Sequence, residues 1–573
     1  MSTLEWDLKA LYKDDNDLDE DVKKVGVKAQ NFEKLFKNNL KKLSLVEFGE
    51  TMNEYEEILQ TLSRIMTYAF LKFAKDTNNG AFYAKYQNEY TKISEKLLFF
   101  ELEFNKLPKD KQDTFIQNIQ KYSYYLECLS KEKPHQLTQK EESVLLKKEQ
   151  TGASAFSRLF DEVFSNMKFS HDGKKLSEEE ILSLLSNKDR SVRKSASEAF
   201  TKELKKHQHL LSYIYNMVRA DLKTELELRN YKNAEEPRHK DNKISQKSVD
   251  ALVKTAEGSF GLVHEYYEKK REILGLEKLY DYDRYAPIDA KDEDMSYEVA
   301  CKIVLDTFNS FSPTFGKIAQ KAINEGWIDV YPKSAKRGGA FSHPATPNTH
   351  PYVLLNYTNK RRDLFTLAHE LGHTIHQFLS YKVGYIASDT PLTTAETASV
   401  FAEMLVFDEV KKTLNKEAKK AMLGAKIEDI FATLYRQINF TTFERAVHKS
   451  EGELSQAEFN KLWMAESKKM FGKSVELTKN YEIWWSYIPH FIHTPFYCYA
   501  YSYGQLLVLA LYGLYKSGDM KDFNKKYEEF LSSGGSKSPS ELVKLFGFDI
   551  EDEKFWQIGL NEVKKLINEF KEL

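Results

Sequence analysis

Residues that break regular structure are scarce in this chain. Its 573 residues include only 24 Gly and 13 Pro, whereas typical usage is about 7% and 5%. Few turn-forming residues, together with abundant Lys, Glu and Leu, favour long helices joined by short loops. Between residues 27 and 166 apolar side chains recur at three- and four-residue intervals, as at Phe32, Leu35 and Phe36, which is typical of amphipathic helices. The sequence therefore predicts a mainly helical fold.

The chain is long enough for two lobes. Its 573 residues exceed the roughly 250–300 that one hydrophobic core usually supports. Residues 170–174 read Ser-His-Asp-Gly-Lys, a turn-forming run after which helical spacing resumes. We therefore predict an N-terminal helical lobe at residues 1–185 and a catalytic region at residues 186–573.

Charge and apolar runs exclude two classes of partner. The formal net charge is −2, so there is no basic excess to neutralise phosphates, and nucleic acid is not expected as a partner. The most apolar run, residues 506–514, is far shorter than the ~20 residues of a membrane span. The 3 cysteines are widely spaced and the N-terminus has no signal-peptide pattern, so we expect a protein of the cytoplasm.

A short β signal interrupts the helical pattern. Residues 336–342 form a glycine-containing loop, and residues 351–357 read Pro-Tyr-Val-Leu-Leu-Asn-Tyr. β-Branched and aromatic residues after a proline indicate a short strand. This predicts a small β-sheet next to the helix that follows.

That helix carries a metal-binding pattern. His369 and His373 are four residues apart, so on a helix their imidazoles lie on one face and both can reach one zinc ion at about 2.0–2.1 Å. Glu370 follows the first histidine and can act as general base on a zinc-bound water. A chance pairing of two histidines on a surface helix is disfavoured, because the flanking residues are apolar and buried rings need partners. The pattern predicts a zinc-dependent metallopeptidase.

A catalytic zinc needs a third protein ligand, and the sequence excludes one arrangement. Metzincins have a glycine and a histidine where this chain has His376 and Leu379. His376 lies about two helical turns from His369, too far for both rings to bind one ion. We expect His376 to support the metal ligands, to face the substrate or simply to be packed.

The next predicted helix offers two glutamates, Glu396 and Glu403, seven residues apart. Glu396 has two interpretations: it forms a capping box with Thr393, or it is the third zinc ligand. The vacant third position favours the ligand. Glu403, two turns further on, suits a carboxylate that orients a histidine ring.

Several segments together resemble one peptidase family. The motif at residues 369–376 is followed by Ala-Glu-Thr-Ala-Ser at 395–399. The chain also contains Leu-Tyr-Asp-Tyr-Asp at 279–283, Arg-Gly-Gly-Ala-Phe-Ser at 337–342 and Trp-Ser-Tyr-Ile-Pro-His-Phe at 485–491. With this combination the sequence resembles, over most of its length, the oligoendopeptidase F group of the thimet oligopeptidase family of zinc metallopeptidases.

The resemblance implies a fold and a set of site residues. The fold would be a two-lobed helical body that encloses a deep channel, which admits peptides and excludes folded proteins. One zinc ion would be held by His369, His373 and Glu396, and Glu370 would be the catalytic base.

A tyrosine-rich segment lies further along the chain. Thr494 as N-cap and Pro495 at the first helical position predict the start of a helix there, on which Tyr497 and Tyr501 share one face. Such an aromatic stripe is often core packing. The family resemblance implies instead that a histidine and tyrosines of this segment donate hydrogen bonds to the oxyanion. We assign this role to His493, Tyr497 and Tyr501, with His490 as the alternative to His493.

The leading functional hypothesis is a zinc endopeptidase that acts on short, unstructured peptides. The same zinc chemistry permits an exopeptidase of the carboxypeptidase or dipeptidase type. A third hypothesis is a non-catalytic peptide-binding protein with structural zinc, which Glu370 disfavours because a structural site does not need a base beside the metal.

Overall fold

The structure is a computed structural model that describes residues 4–288 and 294–573. Helices account for most of these residues, which confirms the predicted helical class. The helices are α1 (Asp15–Phe36), α2 (Leu45–Lys75), α3 (Gly80–Ser94), α4 (Phe99–Lys106), α5 (Lys109–Asn118), α6 (Ser123–Glu132), α7 (Gln139–Glu149), α8 (Ala153–Asn166), α9 (Glu178–Ser183), α10 (Arg190–Leu228), α11 (Glu236–Asp241), α12 (Gln246–Gly258), α13 (Phe260–Ile273), α14 (Tyr297–Phe311), α15 (Pro313–Asn324), α16 (Arg361–Ser380), α17 (Tyr385–Ser388), α18 (Leu392–Ala395), α19 (Thr397–Lys411), α20 (Lys416–Thr433), α21 (Tyr435–Lys449), α22 (Gln456–Phe471), α23 (His490–His493), α24 (Tyr499–Ser517), α25 (Phe523–Ser532), α26 (Pro539–Lys544) and α27 (Glu553–Glu572).

The strands are short, and so are most of the 3₁₀ helices. The strands are β1 (Phe169–His171), β2 (Lys174–Leu176), β3 (Ile328–Asp329), β4 (Phe341–His343) and β5 (Tyr352–Leu354). The 3₁₀ helices are Leu8–Ala10, Leu40–Lys42, Thr77–Asn79, Gln120–Tyr122, Lys133–His135, Leu184–Ser186, Asp281–Asp283, Tyr381–Val383 and Lys479–Tyr487.

Backbone packing divides the chain into two compact units, each made of three segments. Unit 1 comprises Met1–Pro134, Asp292–Lys412 and Gly518–Gly547, and unit 2 comprises His135–Lys291, Thr413–Ser517 and Phe548–Leu573. None of these segment ends falls at the predicted boundary near residue 185, because helices far apart in sequence pack together within each unit. A separate domain at residues 1–185, and a channel enclosed by two lobes, stay predictions.

Aromatic side chains from α1, α2, α4 and α5 form a hydrophobic core in unit 1. Phe48 of α2 stacks on Phe115 of α5 with ring centroids 4.0 Å apart, and Tyr55 stacks on Phe100 of α4 at 4.4 Å. Phe32 of α1 is fully buried against the same rings. Stacked aromatic rings bury much apolar surface, so these contacts hold the four helices together.

The small sheet of unit 1 lies beside α16, which confirms the sheet predicted next to the metal helix. Its strand order is β3-β5-β4, with β5 parallel to β3 and antiparallel to β4. The central strand β5 is completely buried. Ser342 of β4 contacts α16: its hydroxyl donates to Gln377 Oε1 at 2.8 Å, and Gln377 Nε2 donates to the Ser342 carbonyl at 3.0 Å.

Unit 2 is organised around two long helices. α10 runs for 39 residues and packs against α8, while α24 packs against α27 and carries the apolar run at residues 506–514, of which residues 506–513 are buried. Within residues 4–288 and 294–573, no helix combines the length and apolar character needed to cross a bilayer.

Candidate metal and catalytic site

The metal motif lies in the middle of α16, as its spacing predicts. Asp363 in the first turn accepts the backbone N–H groups of Thr358 and Lys360 at 2.7 and 3.0 Å, which secures the start of the helix. Leu364, Leu367 and Leu371 are completely buried. The opposite positions present the imidazoles of residues 369 and 373, with ring centroids 4.8 Å apart.

Glu396 reaches both histidines. Its Oε2 lies 3.4 Å from His369 Nε2 and 3.3 Å from His373 Nε2. The Ser399 hydroxyl donates to the same oxygen at 2.7 Å, which directs the carboxylate towards the two rings.

The backbone at Glu396 differs from the prediction of one continuous helix over residues 393–403. Glu396 lies between α18 and α19 with φ −81° and ψ 0°, a conformation that ends one helix before the next begins. Thr393 lies inside α18, whose N-cap is Pro391, so it is not the N-cap of a capping box with Glu396. Its carboxylate is instead directed towards the histidines.

Gly372 allows α16 and α19 to approach closely enough for these contacts. A Cβ atom at this position would lie 2.6 Å from the Ala398 carbonyl oxygen and from the Ser399 Cα. Contacts that short are sterically forbidden, so only glycine permits the observed packing of the two helices. This packing places Glu396 and Glu403 beside the histidine-bearing face of α16.

Glu403 makes the contact predicted for it. Its Oε1 accepts a hydrogen bond from His369 Nδ1 at 2.6 Å. Because Nδ1 is engaged in this way, the Nε2 atom of the ring faces His373 and Glu396. A carboxylate in this position fixes the orientation of a metal-binding histidine.

The three side chains fit a metal ion. One donor atom from each of His369, His373 and Glu396 lies within 4.8 Å of the other two, and two histidines with one carboxylate are a ligand set of catalytic zinc. Although burial opposes a charge on His369, hydrogen bonding to Glu403 and the charges of the nearby carboxylates raise the pKa of His369 to about 9. The surrounding carboxylates therefore favour a positive charge beside the two histidines, and a bound metal cation would supply that charge.

The same electrostatics act on Glu396. Desolvation raises the pKa of a carboxyl group, but hydrogen bonding to His373 and the charges of both histidines outweigh it and lower the pKa of Glu396 to about 2. Glu396 is therefore ionised at neutral pH, as a metal ligand must be.

Glu370 is buried beside the metal-binding group. It is 6% exposed, and burial raises its pKa above the ordinary value. Its Oε2 has no hydrogen-bond partner in the structure. A buried carboxylate oxygen without a partner is costly, and it is expected where a substrate or a water molecule completes the site.

His376 belongs to the same helix but does not join the ligand group. It is 4% exposed, and burial lowers its pKa to about 3. Its ring hydrogen-bonds the backbone of Ala395, the residue before Glu396. Of the roles left open by the sequence, support for the metal ligands agrees best with this contact.

The site opens into a cavity of about 950 Å³ whose lining belongs to unit 1. The metal-binding side chains and Glu370 form one part of its wall, and β4 with the preceding Ala340 forms another. Asp389 and Thr390, which lie between α17 and α18, also line it. A concave site of this size suits a peptide segment.

The tyrosine-rich segment lies in unit 2. The predicted helix start at Thr494 and Pro495 is wrong, because Phe496 has φ +59° and α24 begins only at Tyr499. The Phe496 N–H donates to Oε1 of the buried Glu444 carboxyl group at 2.8 Å, which holds this turn. Tyr497 therefore precedes the helix, although its ring still lies 5.1 Å from that of Tyr501.

The structure groups these tyrosines with His490. Its Nε2 lies 3.4 Å from the Tyr501 hydroxyl, and its ring is 6.2 Å from that of Tyr497. His493 is directed elsewhere: its Nε2 contacts Asp161 Oδ1 at 2.9 Å. The alternative left open by the sequence, His490, therefore fits the tyrosine group better than His493.

Comparison with known proteins decides the family. A model of peptidase family M3 matches residues 183–562, and a model described as Oligopeptidase F matches residues 103–169. The chain belongs to peptidase family M3. It is therefore a metallopeptidase, and the group of His369, His373 and Glu396 is the metal-binding candidate of an M3 peptidase.

Relatives match this M3 peptidase over almost its whole length. An oligoendopeptidase F homolog of Borreliella burgdorferi is 28% identical, and the alignment covers 99% of this chain and 98% of the relative. Oligopeptidase PepF of Bacillus subtilis is also 28% identical, with 91% and 80% covered.

Solved structures share the fold. A crystal structure from Chlamydophila abortus superposes with a TM-score of 0.92 at 23% identity, covering 99% of this chain and 98% of the other. Oligoendopeptidase-F from Enterococcus faecium has a TM-score of 0.69 at 21% identity, covering 98% and 99%.

Two supporting residues of this M3 peptidase were not predicted from the sequence. Gly372 stands inside the zinc motif, where a glycine in a helix interior signals close packing. Ser399 follows Glu396 by three residues, a spacing at which its hydroxyl can reach back to the carboxylate. Both signals are present in the sequence, but each requires the partner helix to be known.

Proposed function

We propose that this metallopeptidase is a zinc-dependent oligoendopeptidase that hydrolyses internal bonds of short, unstructured peptides. The observation that carries the proposal is the buried Oε2 of Glu370, for which the described residues offer no hydrogen-bond partner. It lies in the wall of a cavity, next to three convergent ligand atoms. Relatives named oligoendopeptidase F that match nearly the whole chain support the same activity.

One zinc ion would be held by His369, His373 and Glu396. When bound, zinc polarises the scissile carbonyl and lowers the pKa of water towards neutrality. Glu403 holds His369 in the orientation that directs Nε2 towards the ion, through the hydrogen bond of 2.6 Å.

Glu370 would move the proton. Its burial raises its pKa, which makes its carboxylate a stronger base than an exposed one. It would take a proton from the attacking water and deliver it to the nitrogen of the leaving amine. Both transfers need only the one carboxylate oxygen that has no partner in the structure.

The substrate would bind in an extended conformation along β4. This strand is at the edge of its sheet and lines the cavity. An extended peptide can add to such an edge through backbone hydrogen bonds, which agrees with a preference for unfolded peptides.

The tyrosine group would stabilise the substrate oxyanion. The family resemblance supports this role for Tyr497 and Tyr501, and the geometry of unit 2 supports His490 as their histidine in place of His493. A preorganised donor of this kind contributes about 2.7–4 kcal/mol to transition-state stabilisation.

The cytoplasmic location of the protein also stays a prediction.

The test is a set of variants assayed on an internally quenched short peptide with both ends blocked. Glu370→Gln is expected to keep bound zinc, measured by atomic emission, and to lose hydrolysis by at least about 10²-fold. Tyr501→Phe is expected to lower kcat by about 10²-fold with zinc content unchanged. Glu409→Gln, an exposed glutamate of α19, is the matched control and should behave as the wild type.

The alternatives give different outcomes. Cleavage only of peptides with a free terminus would identify an exopeptidase, and full turnover by Glu370→Gln would refute the assignment of the base. Stoichiometric zinc without hydrolysis of any peptide by the wild type would leave the structural-zinc hypothesis.

A further inference from the structure

The wall of the cavity has an unbalanced charge. Among the described residues that line it, four are carboxylates (Glu101, Glu370, Asp389 and Glu396) and none is a lysine or an arginine. Glu370 lies beside the group that can hold a cation, and Glu396 belongs to that group. Glu101 does not, because it lies on α4, a helix that contributes nothing to the metal-binding group.

Glu101 is hydrogen-bonded without being neutralised. The Tyr125 hydroxyl donates to its Oε1 at 2.7 Å, and within residues 4–288 and 294–573 it forms no ion pair with a lysine or an arginine. A phenol hydroxyl donates a hydrogen bond but carries no positive charge, so this contact does not pair Glu101 with a cation. Burial raises the pKa of Tyr125, and the neighbouring Tyr55 and Glu101 raise it further. Tyr125 therefore stays protonated and continues to donate its hydrogen bond.

Aromatic side chains lie beside Glu101. Tyr55, which also lines the cavity, is 5% exposed and stacks on Phe100, the residue before Glu101 in the chain. Tyr381 and Tyr385 line the same cavity. Aromatic faces attract cations, and the attraction grows as water is excluded. A carboxylate held among tyrosine rings in a cavity therefore suits a positively charged group, and an anionic group would be repelled there.

From this arrangement we propose that Glu101, positioned by Tyr125, forms a subsite that binds a cationic group of the peptide substrate and so determines the charge preference of the enzyme. The proposal rests on the proposed function, because it assigns the substrate class of that same cavity. The cationic group has two sources, a lysine or arginine side chain and the α-ammonium of the peptide.

The test is a set of internally quenched peptides derived from one neutral, end-blocked reference. Lys, Gln or Glu replaces one residue at a time on both sides of the scissile bond. At one position Lys is expected to raise kcat/KM about tenfold over Gln, the value of one charge-assisted hydrogen bond, and Glu to lower it. Unblocked versions of the Gln peptides show whether the α-ammonium takes the place of the lysine side chain.

Two variants connect the preference to this residue. Glu101→Gln should abolish the difference between Lys and Glu at that position, and Tyr125→Phe should reduce the difference. The matched control is Glu95→Gln, an exposed glutamate that does not line the cavity. It should keep the full preference.

Binding of the same peptides to Glu370→Gln, measured by fluorescence anisotropy, repeats the comparison without turnover. Equal affinities and equal kcat/KM for Lys and Glu peptides at every position would overturn the subsite. So would a preference that survives in Glu101→Gln. If no peptide is hydrolysed by the wild type, the proposed function fails, and the binding series still decides whether the cavity selects cations.

Discussion

At the scale of single residues, Glu444 and Glu370 are both buried glutamates, and the Oε2 atom of each has no hydrogen-bond partner among the described residues. Their surroundings give them different roles. Glu370 lines a cavity beside the metal-binding group, so its unsatisfied oxygen can act on a substrate. Glu444 lies inside unit 2, completely buried, and its Oε1 accepts the N–H of Phe496. Its role is to hold the turn at Phe496. The left-handed backbone of that residue interrupts the helix that the sequence predicts.

This structural role makes the stability of the protein depend on pH. Burial raises the pKa of Glu444 from 4.5 to about 8, so the folded state keeps its proton up to about pH 8 while the unfolded state releases it near pH 4.5. Above pH 4.5 the unfolded state therefore binds fewer protons, and Glu444 lowers the free energy of unfolding until about pH 8. Glu444→Gln removes this titration. As the pH rises from 5 to 8, the free energy of unfolding of the variant should increase relative to that of the wild type by more than about 1.4 kcal/mol, the equivalent of one pH unit.

Urea unfolding of both proteins at pH 5, 6, 7 and 8 measures this difference. A constant difference across the range would show that Glu444 does not titrate in the folded state above pH 4.5. Glu417→Gln, an exposed glutamate of α20, is the control, and its difference from wild type should not change with pH.

At the scale of elements, the site depends on the packing of α16 against α19. The two histidines are on α16, while Glu403 and Ser399 are on α19 and Glu396 immediately precedes it. The separation of the two helices therefore determines whether the three ligands converge. At Gly372 the backbone of α19 is so close that a Cβ would be 2.6 Å from two of its atoms.

Gly372→Ala should accordingly push the helices apart. Overpacking of this kind costs about 1–3 kcal/mol of the free energy of unfolding, and the loss of ligand geometry should weaken zinc binding by at least about tenfold. Chelator competition and urea unfolding measure the two effects.

The matched control is Gly49→Ala in α2, where a Cβ would meet no atom within 4 Å. Replacing a helix-interior glycine by alanine without a clash stabilises by about 0.5–1 kcal/mol, so the two substitutions should have opposite signs. A stabilised Gly372→Ala protein with unchanged zinc affinity would contradict the packing argument.

At the scale of the whole molecule, sequence patterns predicted the structural features that depend on residues close together in the chain. The spacing of His369 and His373 and the scarcity of Gly and Pro are local signals, and both correspond to the helices found. The break at Glu396, the turn at Phe496 and the pairing of His490 with Tyr501 depend on contacts between elements, so periodicity could not predict them. The same holds for the two units, since each assembles three segments that are distant in sequence.

The ligands of the proposed zinc site come from α16 and from the break between α18 and α19, so they converge only in the folded protein and zinc should stabilise it. A ligand that binds only the folded state adds RT ln(1 + [L]/Kd), about 4 kcal/mol at a thousandfold excess over Kd. Scanning calorimetry of the chelator-treated protein should therefore show an unfolding temperature that rises with added zinc. His373→Ala should lose this rise, because it removes one of three ligands, whereas His209→Ala, an exposed histidine of α10, should keep it. An equal rise in His373→Ala would place the stabilising zinc elsewhere, since binding at the proposed site requires all three side chains to converge.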